Sequence, residues 1–387
     1  MNLRFQGKRI LILEGYARQS LPYMRAFKEL GLDVTIYCNS KMNCGYVSRF
    51  PDHRVLGICK NTRYKETEAS VIELVKSGRY DIVFPLVDFS AEILAHNKAE
   101  LSRYAYICTN DEDVFARSQD KLEVMRVCME NGLPCPKTLF GVTTVEDVVD
   151  SGIDFPVAIK PRVGFGARGF KMLSSPEELK EYVIQHRIDL SDMVVQEYLP
   201  QGSLNASDNI FVDRNGVLQS AFTYASYRYY PLQGGTGTLS ETINRSDIHE
   251  NSAKLAGLLG IRGCNGVDYM IDPRDGRAKI IEINPRVLAC SRIGFAAGVN
   301  QAQQVLEDAF ADAVTPMFSY REGIRVRMSQ IDVLWFIKSP DRFKTKPFWF
   351  SQKNTIDQTF SWDDPLPWFA FLAHGLHGFA KWKEEHR

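Results

Sequence analysis

The sequence predicts an α/β domain at the N-terminus, an α+β region in the middle and an aromatic-rich extension at the C-terminus. The chain has 387 residues, which is more than one ordinary hydrophobic core contains. Short β-branched runs alternate with amphipathic helical segments up to about residue 110, whereas hairpins and glycine loops follow them. All five tryptophans lie beyond residue 316. These changes of pattern predict domains at residues 1–117, 118–315 and 316–387.

The composition is that of a globular protein and argues against several classes of function. Lysine plus arginine equals aspartate plus glutamate at 47 each, so we predict no nucleic-acid partner. The eight cysteines contain no C-x-x-C pair, which argues against a zinc site or a disulfide framework. No apolar run reaches about 18 residues, and the run at 10–13 is too short for a signal peptide. We therefore expect a cytoplasmic location.

The N-terminal segment reads as a doubly wound parallel sheet, since strands and helices alternate along it. Its first strand-to-helix turn, Glu14–Arg18, lacks the full G-x-G-x-x-G pattern of a dinucleotide site. We interpret this domain as one that positions the rest of the protein, with a nucleotide site at that turn as the alternative. The predicted elements are strands at Arg9–Leu13, Val34–Tyr37 and Ile82–Leu86 and helices at Leu21–Leu30 and Ala69–Lys76.

A helix is predicted to begin after Ser118, with Asp120 and Glu123 spaced as a capping box. Lys121 would then lie in the first turn, where the helix N-terminus favours an anion over a cation. A bound polyanion would explain the lysine, and a solvated surface lysine is the alternative.

A second lysine, Lys160, ends a short apolar strand and directly precedes a glycine-rich loop. Gly164, Gly166 and Gly169 would let backbone N–H groups approach phosphate oxygens closely. The loop is therefore either a phosphate loop or a purely structural glycine hairpin.

The strongest signal is a predicted hairpin over residues 266–286, whose turn is Pro273–Gly276. With the turn centred on Asp275, Asp268 lies directly opposite Glu282, and Asn284 shares the same face. Two opposed carboxylates with no base between them repel each other. Because Mg²⁺ prefers oxygen ligands of this kind, we predict a metal site rather than a solvated hairpin face.

Taken together, these motifs resemble the ATP-grasp superfamily, in particular the carboxylate–amine ligases like the large chain of carbamoyl phosphate synthase. The resemblance runs in order over about residues 80–300. It implies an α/β domain followed by an α+β ATP-grasp fold, in which two subdomains clamp ATP. The motifs that carry it are Lys121, Val157–Pro161 with its glycine loop, Val194–Leu199 and Ile280–Arg286.

The resemblance also implies roles for individual residues. It implies that Lys121 and Lys160 hold the α- and β-phosphates of ATP, and that the loop Gly164–Gly169 is a flexible lid over the β- and γ-phosphates. The ribose contact is a departure, because relatives commonly carry a glutamate where this chain offers Asn205 or Asp208. The remaining implied residues are Gln196, Glu197 and Leu199 for adenine, Asp268, Glu282 and Asn284 for Mg²⁺ or Mn²⁺, and Arg286, Arg292 and Lys160 for catalysis.

The implied activity is ligation: a carboxylate is activated as an acyl phosphate and then attacked by an amine or a similar nucleophile. A phosphotransferase and a non-catalytic ATP-binding regulator are the alternatives. Small-molecule carboxylates and amines would be the partners, and a homo-oligomer stays open. Arg228 and the glycines at 234–237 either hold the substrate carboxylate or belong to a tyrosine-rich strand and its turn. The tail at 365–383 either docks on the protein or a partner subunit, or contacts a membrane interface.

Overall fold

The computed structural model describes residues 5–164, 169–200, 202–232 and 235–385, with side chains up to residue 375. Three β-sheets organise these residues: a five-stranded sheet near the N-terminus, a three-stranded sheet and a seven-stranded sheet.

The first sheet is parallel, in the order β3-β2-β1-β4-β5. Ile10 and Ile12 pack into one core, whereas Leu11 and Leu13 pack into another on the opposite face. Both faces are therefore covered, as parallel sheets require. The strands are β1 Arg9–Ile12, β2 Asp33–Cys38, β3 His53–Leu56, β4 Ile82–Phe84 and β5 Tyr106–Ile107. The helices up to residue 119 are α1 Ser20–Glu29, α2 Cys44–Val47, α3 Tyr64–Lys76, α4 Asp88–His96, α5 Lys98–Leu101 and α6 Glu112–Gln119.

The chain order of this sheet reverses between β1 and β4, because β2 and β3 lie on one side of β1 and β4 and β5 on the other. Ligands of open α/β sheets bind at such a reversal, outside the carboxyl ends of the strands. The segments that follow β1 and β4 therefore form the edge of this domain where a ligand is expected.

The second and third sheets lie in the middle of the chain. The small one is antiparallel in the order β7-β6-β8, and the large one runs β13-β12-β9-β10-β11-β14-β15. The small-sheet strands are β6 Val157–Pro161, β7 Lys171–Leu173 and β8 Met193–Glu197. The large-sheet strands are β9 Leu204–Val212, β10 Leu218–Tyr230, β11 Thr236–Ile243, β12 Gly263–Ile271, β13 Ala278–Asn284, β14 Arg325–Arg327 and β15 Thr355–Asp357. The remaining helices are α7 Lys121–Glu130, α8 Val145–Asp150, α9 Pro176–His186, α10 Ser246–Leu259, α11 Arg292–Ala297, α12 Gln301–Phe310, α13 Ser329–Lys338 and α14 Leu366–Glu385.

The segment after residue 316 is part of the large sheet rather than a detached tail. Strand β14 pairs antiparallel with β11, and β15 pairs parallel with β14. Ahead of α14, Asp364 accepts hydrogen bonds from Ser48 and Arg49 of the N-terminal domain, and Trp368 bonds Ser329. The start of the tail therefore docks on the protein. Across the part of the chain that is described, no helix combines the length and apolarity needed to cross a membrane.

Candidate functional site

The predicted hairpin consists of β12 and β13, and its register places Asp268 opposite Glu282 and Gly266 opposite Asn284. The predicted pairing of the two carboxylates is thus observed, although a bulge after Asp268 shifts the inner pairs by one residue. Two more residues lie in line with this pair across the sheet: Asp268 pairs with Ser207 on β9, and Ser207 pairs with Tyr224 on β10.

The two carboxylates are held by polar partners. Ser207 Oγ donates to Asp268 Oδ1 over 2.5 Å, and Asn284 Nδ2 donates to Asp268 Oδ2 over 2.8 Å. The Nζ of Lys121 lies 3.3 Å from Glu282 Oε2. Burial, reinforced by the neighbouring Glu282, raises the pKa of Asp268 to about 6. The pair therefore carries more negative charge than its surroundings solvate comfortably, which favours a bound cation.

These oxygen ligands fit a magnesium ion better than a softer metal. Among the described residues, no three His, Cys, Asp or Glu side chains meet in a metal-binding cluster. An ion at this hairpin would therefore take the two carboxylates and the carboxamide oxygen, and complete its shell with phosphate oxygens and water.

Lys121 lies in this site and not on the surface. It is 8% exposed, and its Nζ donates to the carbonyl oxygen of Gly164 over 2.7 Å. The alternative of a solvated surface lysine is therefore wrong. The buried ammonium, at the N-terminus of α7, faces both Glu282 and the glycine-rich loop.

The N-cap of α7 is observed, but the predicted capping box is wrong. Asp120 accepts from the backbone N–H groups of Leu122 and Glu123, as an N-cap does. The backbone N–H of Asp120 is already bonded to the Ala116 carbonyl of the preceding helix. Glu123 therefore has no capping partner, and its carboxylate pairs with arginines of α6 and α7 instead.

Lys160, on strand β6 of the small sheet, lies close enough to Glu282 to feel its charge. Its Nζ donates to the carbonyl oxygen of Ile281 over 3.3 Å. Burial lowers the pKa of Lys160 to about 8, and the charge of Glu282 acts in the opposite direction. Lys160 lies on β6 of the small sheet and Ile281 on β13 of the large sheet, so this bond crosses between the two sheets, beside the Lys121–Glu282 pair.

The glycine-rich loop is described at its two ends. Gly164 has φ 151° and Gly169 has φ 74°, and both angles lie in the positive range that favours glycine. A Cβ on Gly169 would lie 2.8 Å from Pro161 Cγ, so a side chain does not fit there. Gly166 lies at 165–168, outside the described residues.

The predicted adenine hinge is partly occupied by protein contacts. Glu197 accepts from Lys279 Nζ over 2.7 Å and lies 3.3 Å from Arg274, so ion pairs engage its carboxylate. Gln196 and Leu199 are both 4% exposed, and Gln196 Oε1 is buried with no hydrogen-bond partner among the described residues.

The two ribose alternatives separate on strand β9. Asp208 is fully buried and bonded to Thr223 and His249, on the face opposite Ser207. Asn205 is exposed and shares the face of Ser207 and Asp268. Alternation along the strand therefore excludes Asp208 from the site.

The three candidate arginines have different surroundings. Arg286 lies at the hairpin, where its NH2 donates to Asn284 Oδ1 over 3.1 Å. Arg292 begins α11 and points to the C-terminal extension, where its NH1 donates to the Gln358 carbonyl over 3.3 Å. Arg228 is fully buried against Asp332, with Nε–Oδ1 2.9 Å, and is not available to a substrate. The structure therefore brings Arg286, but neither Arg292 nor Arg228, to the carboxylate pair.

The segment that builds this cleft also matches a known family. The sequence model of the ATP-grasp domain matches residues 118–290, from the end of α6 to the loop after β13. Residues 118–290 form an ATP-grasp domain.

The chain is also similar in sequence to two enzymes. A D-aspartate ligase from Enterococcus faecium is 27% identical over 253 residues, which cover 60% of this chain and 59% of the ligase. A carbamoyl phosphate synthase large chain from Methanobrevibacter smithii is 24% identical over 194 residues, which cover 47% of this chain and 17% of the synthase. The chain therefore spans less than two thirds of the length of either relative.

Solved structures show the same fold over a longer stretch. Biotin carboxylase from Campylobacter jejuni has a TM-score of 0.70 at 17% identity, covering 83% of this chain and 75% of that one. N5-carboxyaminoimidazole synthetase from Staphylococcus aureus has a TM-score of 0.65 at 14% identity, covering 83% and 81%. At these identities the likeness establishes the ATP-grasp fold and no more.

Three residues near the ATP-grasp site were missed by the sequence reasoning: Arg18, Asp88 and Ser207. Asp88 follows β4 and binds Arg286 through two hydrogen bonds of 2.9 and 3.0 Å. Arg18 follows β1 at the same edge. Arg18 and Asp88 could both have been predicted from the strand order, because β1 and β4 flank the point where the order of the parallel sheet reverses. Ser207 carries no sequence signal apart from its alternation with Asn205.

Proposed function

We propose that this protein is an ATP- and Mg²⁺-dependent ligase that activates a carboxylate as an acyl phosphate for attack by an amine or a similar nucleophile. One observation carries the proposal. Asp268, Glu282 and Asn284 share one face of a hairpin, Lys121 pairs with Glu282, and buried Lys160 bonds the carbonyl of the neighbouring Ile281. Phosphate chemistry requires such a combination of oxygen ligands for a metal and buried cations for a polyanion.

In this proposal the lysines hold the α- and β-phosphates, and the loop at 164–169 covers the β- and γ-phosphates. Asp268, Glu282 and Asn284 hold Mg²⁺, for which Mn²⁺ is a substitute, and the bound ion would supply charge neutralisation at the phosphates. Lys121 now pairs with Glu282 and Lys160 with the Ile281 carbonyl, and both would turn to phosphate oxygens when nucleotide enters. The adenine would contact the hinge through backbone groups near Leu199, because ion pairs engage the Glu197 carboxylate.

Arg286 is the residue that we assign to the transferring phosphoryl group. Its guanidinium is fixed by Asp88 and Asn284, so it is preorganised beside the carboxylate pair. A fixed guanidinium stabilises charge that develops on phosphoryl oxygens. Arg292 lacks such a position, because its guanidinium bonds the Gln358 carbonyl of the C-terminal extension, and we assign it no catalytic role.

Ligation is favoured over phosphate transfer as the final reaction by the relatives' names, which include a ligase and a synthetase. A non-catalytic ATP-binding protein is disfavoured because the chain keeps the metal and phosphate residues together.

We place the reaction in the cytoplasm, where ATP and Mg²⁺ are supplied. We also propose the domain bounds 1–117, 118–315 and 316–387, with strands β14 and β15 of the last domain extending the large sheet.

A peripheral membrane contact is proposed for the C-terminal extension. Large apolar side chains are exposed along 333–369, including Trp362 at 91% and Phe343 at 62%. The segment at 338–353 also contains five basic residues: Lys338, Arg342, Lys344, Lys346 and Lys353. Exposed aromatic rings beside cations suit the interface of an anionic membrane.

The test of the proposed function is Mg²⁺-dependent ADP release by the purified chain with panels of amino acids, hydroxy acids and sugar acids, each with and without an added amine. A ligase releases ADP only with its carboxylate and forms a product whose mass equals the two substrates less water. Release of a phosphorylated acid as the final product would identify a phosphotransferase. Failure to bind ATP in the presence of Mg²⁺ or Mn²⁺ would contradict the proposal.

A further inference from the structure

A cleft of about 570 Å³ lies between the N-terminal domain and one end of the large sheet. The segment from α5 to the residues after β5 forms one side of it, and the end of β9, the start of β12 and helix α12 form the other. Pockets that hold small molecules typically measure roughly 300–1,000 Å³. The cleft is therefore large enough for a small organic ligand.

This cleft is separate from the proposed ATP site. Cys264 and Phe211 line it and are register partners on β12 and β9, whereas Asp268 and Ser207 are partners four residues away along the same strands. At a rise of about 3.4 Å per residue, the Cα atoms of Cys264 and Asp268 are about 13 Å apart. None of the described residues that line the cleft is one that we assign to ATP or Mg²⁺.

Two arginines line the cleft without a carboxylate partner. NH1 of Arg262 donates to the carbonyl oxygens of Gly260 and Ile261 over 3.0 and 2.8 Å, and NH2 of Arg214 donates to the Ala311 carbonyl. Among the described residues, neither guanidinium has a carboxylate within ion-pair distance. A guanidinium offers more N–H donors than these bonds use, so both side chains keep donors for a ligand.

The acidic groups that line the cleft are engaged elsewhere. Asp111 Oδ1 lies 2.7 Å from the Nζ of Lys98. Asp308 is 2% exposed and accepts from the hydroxyl of Tyr106 and, over 2.8 Å, from the backbone N–H of Arg214. The lining thus carries three cationic side chains against two carboxylates, and the two arginine side chains hold the excess positive charge.

The two arginines lie on the same side of the cleft. Arg214 belongs to the turn between β9 and β10, and Gly216 of that turn has φ 85°. A Cβ on Gly216 would lie 2.8 Å from NH2 of Arg262, so the Arg262 guanidinium packs directly on this turn. The turn therefore brings the two cationic groups to one place.

Two neighbouring guanidinium groups match a phosphate better than a carboxylate. A phosphate monoester carries about −1.5 to −2 charges at pH 7 and has three acceptor oxygens, whereas a carboxylate carries one charge and accepts a single planar fork. Much of the remaining lining is apolar and suits the organic part of such an ester. The apolar residues are Phe84, Ala105, Ile107, Phe211 and Val305.

We propose that this cleft binds a small organic phosphate, whose phosphate group is held by Arg214 and Arg262 and whose organic part lies against the apolar side. The site is additional to that of ATP, and the inference does not rest on the proposed ligase function. Because the lining comes from both the N-terminal domain and the ATP-grasp domain, the bound ligand would bridge the two.

The experiment is isothermal titration of the full chain with ribose 5-phosphate and with glycerol 3-phosphate, in Mg²⁺ and a saturating non-hydrolysable ATP analogue. Both esters should bind, whereas ribose and glycerol should not. Inorganic phosphate should bind more weakly than the esters, because it makes no contact with the apolar side. Arg214→Met and Arg262→Met should each weaken binding of the esters roughly 10- to 100-fold.

Arg277→Met is the matched control, because it removes an exposed arginine of the ATP-grasp domain, and it should bind the esters like wild type. The melting temperature without ligand shows whether each arginine variant folds. Lys160→Met should also bind the esters normally, since Lys160 belongs to the proposed ATP site. Loss of ester binding in Lys160→Met would place the esters at that site and overturn the proposal.

The proposal is also overturned if neither ester binds the wild-type chain, or if both arginine variants bind the esters like wild type. Equal affinity for inorganic phosphate and for the esters would overturn the assignment to an organic phosphate. Binding of the ATP analogue is measured in a separate titration, so a failure of the proposed function is recognised independently of this cleft.

Discussion

Arg286 of the ATP-grasp domain and Asp88 of the N-terminal domain form a bidentate ion pair, with Nε–Oδ1 2.9 Å and NH2–Oδ2 3.0 Å. The same guanidinium donates to Asn284, so one residue joins the segment after β4 to the β12–β13 hairpin. A planar fork held from two sides has little freedom to leave its position. Asp88 therefore acts as a positioning residue for Arg286.

Asp88→Asn should lower kcat roughly 10- to 100-fold while leaving the KM for ATP close to wild type, because Arg286 stays present but loses its orientation. Steady-state ADP release measures both quantities. Asp113→Asn, an exposed carboxylate on α6, is the matched control. An unchanged kcat in Asp88→Asn would show that the ion pair serves stability alone.

Glu282→Gln should reduce ATP turnover roughly 100- to 1000-fold without loss of the fold. The amide removes one negative charge from the proposed metal site. When no ion is bound, the loss of the ion pair with Lys121 is offset by relief of the repulsion with Asp268, so the fold should be kept. Turnover and melting temperature should be compared with those of Asp275→Asn, which changes an exposed carboxylate in the turn of the same hairpin. Normal turnover in Glu282→Gln would refute the metal assignment.

Lys160→Met should raise the Kd for ATP about 10- to 100-fold, since each charge-assisted hydrogen bond to phosphate contributes about 1.5–3 kcal/mol. Isothermal titration with a non-hydrolysable analogue measures the change without requiring a substrate. Lys180→Met removes an exposed lysine from α9 and should bind normally. Equal affinities for the two variants would remove Lys160 from the phosphate site.

The hairpin could be predicted from sequence because its signals are local. The Pro273–Gly276 turn sets the register, and alternation then puts Asp268, Glu282 and Asn284 on one face. The same alternation separates Asn205 from Asp208, although the sequence reasoning left both open. Local rules were thus sufficient for the core of the site.

The sequence could not decide where distant residues pair. It left Arg228 open between substrate binding and a structural role, and Asp332, 104 residues further along the chain, binds its guanidinium. The carboxylate of Glu197 is engaged by Lys279 across 82 residues. No spacing rule anticipates such pairs, because they depend on how the C-terminal extension and the hairpin pack.

A pH effect on stability is expected from Glu14, which is fully buried after β1. Burial raises its pKa from 4.5 to about 7, although Leu86 N–H donates to its carboxylate over 3.0 Å. The folded state therefore holds a proton that the unfolded state releases above pH 4.5, so stability should fall as pH rises from about 4.5 to 7. At pH 8 the loss amounts to about 3 kcal/mol, since one pKa unit corresponds to about 1.36 kcal/mol.

Glu14→Gln, which stays neutral, should thus be more stable than wild type at pH 8, and the difference should vanish near pH 4.5. Urea unfolding at several pH values measures it. Glu29→Gln, on the exposed side of α1, is the control and should follow the wild-type curve. Parallel curves for wild type and Glu14→Gln would contradict the shifted pKa.

Binding to anionic vesicles is expected from the basic and aromatic surface at 338–353. Lys344→Glu combined with Lys346→Glu should reduce co-sedimentation with phosphatidylserine vesicles about 10-fold or more, because each basic residue near such a surface contributes about 1 kcal/mol. Phosphatidylcholine vesicles should bind neither protein. Lys65→Glu combined with Lys180→Glu makes the same charge change at exposed sites elsewhere and should bind like wild type. Equal sedimentation of wild type with both lipids, or no sedimentation at all, would assign the exposed aromatic side chains to another role.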